Sequence, residues 1–118
     1  MKQSSLLKDV IYSDDKPMIK VLMETGFSKE IRIAFKEGQE MKEHKTNFPI
    51  SVEMVLGDLD FGVNGEVLEL SKGDLLALEA SVPHNLKAKS DCIVRLSLTK
   101  NDDINRVKKV VGLDDLGK

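Results

Sequence analysis

From Met18 onward, apolar and polar residues alternate over short runs. MIKVLME, EIRIAFKE, ISVEMVL, LDFGV, EVLEL, LLALE and CIVRLSL carry β-branched or long apolar side chains at a period close to two, the pattern of strands buried on one face. Breakers stand between them: Gly38, Gly57-Asp58, Asn64-Gly65, Lys72-Gly73-Asp74, Pro83 and Lys89-Ser90-Asp91. They recur about every 6 to 10 residues, as in an all-β sandwich or barrel rather than in a chain alternating strands with helices. Asn64-Gly65 is the sharpest signal, because a two-residue hairpin turn of the primed type needs positive φ at both central positions. It predicts that LDFGV and EVLEL pair directly. In ISVEMVL, alternation sets Val52, Met54 and Leu56 on one face and Glu53 on the other.

The two ends differ from this pattern. Ser4-Ser5-Leu6-Leu7 is compatible with a capped short helix and with an edge strand. Behind Asn101-Asp102-Asp103, the residues Ile104, Val107, Val110 and Val111 recur at helical spacing, with Gly112 placed to stop the turn. A short amphipathic helix over about 102–111 is expected, laid on the barrel or on a partner subunit, with Arg106, Lys108 and Lys109 on its solvated face.

Composition narrows the picture. A chain of 118 residues holds one core, so a single domain over 1–118 is expected, with its barrel at about 18–100. The formal net charge is −2, with both signs interleaved along the chain. No basic face presents itself to nucleic acid, which is set aside as a partner. No apolar run approaches the roughly 20 residues of a membrane span, and the opening MKQSSLLKDV lacks the apolar core of a secretory signal. Cytoplasmic residence without membrane attachment is the expectation. Cys92, the single cysteine, lies in the apolar alternation CIVRLSL and is expected as a small core residue rather than a nucleophile.

The only two histidines are His44, in EHKTNFPI, and His84, in SVPHNL. The segment from Gly38 through His44 and Thr46, followed by Ile50 and Gly57, resembles the first motif of the cupin superfamily: a glycine, a His-x-His pair, a glutamate and a closing glycine. The segment from Gly65 through Gly73-Asp74 to Val82-Pro83-His84 is similar to the second, in which a Gly-Asp turn leads through one strand to a Pro-His pair. The resemblance runs from about Val21 to Thr99. It implies a double-stranded β-helix, the jelly-roll barrel of cupins, with a short C-terminal helix added here. It also implies that His44 and His84 point into one end of the barrel, where metal-binding members hold their ion, and that the chain forms a homodimer.

The motif is degenerate at two ligand positions. Thr46 stands where the second histidine would be, and Ile50 stands at or near the place of the glutamate. Two imidazoles fall short of the three protein ligands usual in catalytic zinc sites and of the two histidines and carboxylate of many iron sites. Glu53 or Glu79 could complete a set only by facing inward. Two functions therefore stand open. One is a small-molecule-binding cupin, non-enzymatic or weakly catalytic, whose contacts are His44, His84, Thr46, Ile50, Met54 and Phe61, with Phe35 and Leu76 as further lining. The other is a metal-dependent enzyme of the oxygenase, isomerase or decarboxylase type, in which His44 and His84 ligate Fe, Mn, Ni or Zn. A purely structural module, its interior filled by side chains, is a third outcome. A neutral imidazole offers one donor and one acceptor, so the pair could meet an anion or a hydroxyl.

Overall fold

In the computed structural model of the chain, described here for residues 1–100, nine strands form two antiparallel sheets. They are β1 (Met18–Glu24), β2 (Ser28–Phe35), β3 (Glu40–His44), β4 (Ile50–Leu56), β5 (Leu59–Val63), β6 (Glu66–Leu70), β7 (Leu75–Leu78), β8 (His84–Ala88) and β9 (Cys92–Thr99). The five-stranded sheet runs β1-β2-β9-β4-β7 and the four-stranded sheet β3-β8-β5-β6. Most sheet neighbours are far apart in sequence, as a jelly roll requires. The helix expected over 102–111 lies outside the described residues. No helix among the described residues is long and apolar enough to cross a membrane.

The alternation dictates the core. Ile31, Ile33 and Phe35 of β2, Val52 and Met54 of β4, Leu59 and Phe61 of β5, and Cys92 and Val94 of β9 turn inward and form one cluster between the sheets. Burial of so many branched and aromatic side chains, each contributing about 1.5–3 kcal/mol, is the main force holding the sheets together. The Asn64-Gly65 turn forms as predicted: both residues take positive φ, 53° and 76°, and Val63 pairs with Glu66.

One face assignment is corrected. Val52 and Met54 point inward, but the β4–β9 register shifts between Met54 and Leu56, where Leu56 pairs with Ile93 and is exposed. A β-bulge adds one residue to one strand and reverses the alternation beyond it. The chain then turns at Gly57, whose φ is +82° and whose missing Cβ would stand 2.3 Å from the Asp91 carbonyl oxygen.

The N-terminal segment is neither of the expected elements. Residues 6–9 make a short turn, begun by Ser5, whose Oγ accepts the N–H of Leu7 and of Lys8 at 3.2 Å. Arg32 holds this segment against the outer face of β2. Its guanidinium donates to the carbonyls of Ser5, Leu6, Lys8 and Asp9 at 3.4, 3.5, 2.9 and 3.3 Å. Arg32 is buried although alternation puts it opposite the core.

Candidate functional site

The two strands that carry the histidines are neighbours in the four-stranded sheet, and His44 of β3 is the register partner of His84 of β8. A bulge makes this pairing work. Met41 pairs with Leu86 and His44 with His84, so β3 holds one residue more than β8 over the same stretch. Regular alternation would turn Glu43 to the side of Met41; the extra residue turns His44 there instead. On β8 no such device is needed, because His84, Leu86 and Ala88 alternate inward regularly.

The rings meet. Their centroids are 4.4 Å apart, edge to face at 60°. On its other side His84 stacks on Phe61, with centroids 5.5 Å apart and planes 7° from parallel. Each ring is also tied to its own backbone. His44 Nδ1 lies 2.7 Å from the Lys42 carbonyl oxygen and His84 Nδ1 lies 2.9 Å from that of Val82. A carbonyl only accepts, so each Nδ1 carries the hydrogen and each Nε2 of the neutral ring is left as an acceptor. Burial holds the His84 imidazole below the ordinary histidine range; the Val82 hydrogen bond works in the opposite direction, and the proximity of His44 lowers it further.

The loops that flank the pair are joined at the mouth. The Ser81 N–H donates to the Thr46 carbonyl at 2.7 Å, and Ser81 holds a positive φ of 67° to do so. Pro83, with its fixed φ, then directs the chain into β8.

Around the rings lies a cavity of about 20 Å³, room for about one water. Its walls are His44, His84, Ile50 and Phe61 from the predicted set, together with apolar residues that include Ile33, Met41, Val52 and Leu86. Among the described residues the two imidazoles are its only polar side chains. Thr46 and Met54 stand outside it. The Thr46 hydroxyl is turned away, donating to the Phe48 carbonyl at 2.7 Å, and Met54 is fully buried in the core cluster. Phe35 is core as well, and Leu76 packs against the core from the edge. Larger grooves run along the N-terminal segment and beside Phe27 and Phe48, away from the histidines.

Among the described residues no group of three or more His, Cys, Asp or Glu comes together. Glu53 faces outward to Arg95 at 3.6 Å, and Glu79 is exposed. Cys92 is fully buried, its thiol pushed up to about 12 by burial first and then by Asp91 and Asp58, which makes it an inert core side chain.

This sheet order, with two histidines at one end, can be set beside known folds. The chain superposes on an RmlC-like cupin protein from Desulfovibrio desulfuricans with a TM-score of 0.78, at 26% identity over 84% of this chain and 96% of that one. The chain folds as a small cupin. A cupin superfamily protein from Desulfitobacterium hafniense superposes with a TM-score of 0.71 at 12% identity, covering 76% of this chain and 83% of that one. An RmlC-like cupin from Shewanella frigidimarina gives 0.65 at 20%, covering 73% and 78%. No protein-family model and no curated protein matches the sequence. In this cupin the sequence motifs located the histidines, whereas the bulge that aims His44 and the carbonyls that fix both tautomers had no local signal.

Proposed function

We propose that this cupin binds a small molecule at the barrel mouth, with His44 and His84 as its polar contacts. The observation that carries this is the lining of the cavity, where, among the described residues, two paired imidazoles are the only polar side chains within apolar walls. Such a composition, a few convergent polar groups in an apolar recess, is that of ligand sites in general. Because the recess holds only about one water, the inner contact is made by a single polar group of the ligand.

Two measurements test the proposal. Metal analysis of protein purified without chelator or affinity tag, with thermal melts in Fe²⁺, Mn²⁺, Ni²⁺ and Zn²⁺, is expected to show no stoichiometric ion. Bound metal lost on His44→Ala or His84→Ala would replace the binder with a metal-dependent enzyme. A small-molecule library screened by thermal melting should yield compounds that stabilise the native chain and not the His44→Ala variant. A screen with no such compound counts against binding.

The same proposal includes a homodimer. β1 is an edge of the five-stranded sheet, and it exposes Ile19 and Val21, an open ladder of the kind that association covers. Gel filtration at micromolar concentration should give twice the monomer mass; a monomer is the contrary result.

A further inference from the structure

Resting on that proposed role of the two histidines, we infer that the inner contact selects neutral hydrogen-bond donors, a ligand hydroxyl above all, and rejects carboxylates. Both Nδ1–H groups are already spent on the Lys42 and Val82 carbonyls, so the ring nitrogens that the pair has left for a ligand, the two Nε2, are acceptors. Two aromatic nitrogens with lone pairs facing an anion repel it. Among the described residues nothing in the walls offsets this, since none of those lining the cavity is a lysine or arginine.

Protonation would reverse the preference by placing a hydrogen on Nε2. Burial against Phe61 opposes it for His84, and protonating both rings would set two positive charges 4.4 Å apart. The size of the recess adds a further limit. A hydroxyl fills a space the size of a water, while a carboxylate brings two oxygens and leaves one against hydrocarbon, where an unpaired polar atom costs about 1–3 kcal/mol.

The tautomers and the preference are read in one experiment on the full chain. Long-range ¹⁵N–¹H spectra of the two imidazoles at neutral pH should show Nδ1–H on both rings. Titration with 1-propanol should then shift the Nε2 resonances saturably, an effect lost in His44→Ala, whereas propionate at equal concentration leaves them unmoved. An Nε2–H tautomer on either ring overturns the inference. Propionate shifting the rings as strongly as propanol also overturns it, yet leaves the histidines as the contact site. If neither probe moves either ring, the proposed contact role falls together with the selectivity.

Discussion

Met41 and His44 both face the barrel interior from one strand, although residues an odd number of places apart fall on opposite faces of a regular strand. The bulge between them reconciles the two, and its consequence is a test by parity. Deleting Glu43 leaves methionine and histidine two places apart, which a regular strand puts on one face. The shortened chain is therefore expected to fold and to keep the two rings in contact. Its altered histidine should lose the tie to the Lys42 carbonyl and show mixed tautomers in ¹⁵N spectra. Loss of the contact between rings, seen as absent cross-relaxation, would show that the bulge is required for the pairing itself.

Acid should weaken the fold through His84. Its folded-state proton affinity is depressed below the ordinary value of 6.5, chiefly by burial. Between that value and the lower folded one, the unfolded chain binds the proton and the native chain does not, so stability rises with pH in that window. The contribution is whole above 6.5 and is lost progressively as the pH falls toward the folded value. Urea denaturation of the native chain and His84→Gln at a series of pH values checks this: the variant should show a shallower fall on the acid side. Parallel curves would remove His84 as the cause.

Gly57 and Gly38 separate two origins of backbone cost. Both hold positive φ, +82° and +88°, but a Cβ on Gly38 meets open space while one on Gly57 runs into Asp91 and Cys92. Gly38→Ala should destabilise by about 1 kcal/mol from conformation alone. Gly57→Ala adds a clash with main chain that cannot move aside, and about 3 kcal/mol or more is expected. Equal losses in denaturation midpoints would contradict the packing around Gly57.

Arg32 ties down the N-terminal segment through main-chain carbonyls, with no carboxylate partner among the described residues. Hydrogen bonds to a buried charge contribute about 1.5–3 kcal/mol. Arg32→Met should lower stability by about 2–3 kcal/mol and make cleavage after Lys8 by trypsin much faster. Arg32→Lys, with a single ammonium in place of a planar fork, should recover only part of this. Unchanged cleavage would mean that the segment is held by other contacts.

What the sequence displayed and what it concealed follow one physical line. MIKVLME, ISVEMVL, LDFGV and EVLEL coincide with β1, β4, β5 and β6; the alternation marks a buried face in β4 and β5, whereas β1 and β6 leave Ile19, Val21, Val67 and Leu68 exposed. Asn64-Gly65 was legible because a turn is a local matter. EMKEH and HNLKA, short and rich in polar residues, did not stand out as apolar runs, and these carry the histidines. Only their glycine and proline frames pointed to them. Arg32 reads as a solvent-facing residue in EIRIAF, because alternation within β2 holds no information about a segment over 20 residues earlier in the chain. Bulges were hidden for the same reason: each belongs to a pair of strands, and one strand alone does not reveal its partner's count.

The pairing of positions 44 and 84 on adjacent strands makes their separation a property of the main chain. Packing did not create the distance, so repacking does not abolish it. Any two side chains installed there stand shoulder to shoulder at the rim, which lets the barrel exchange its chemistry while leaving its scaffold untouched.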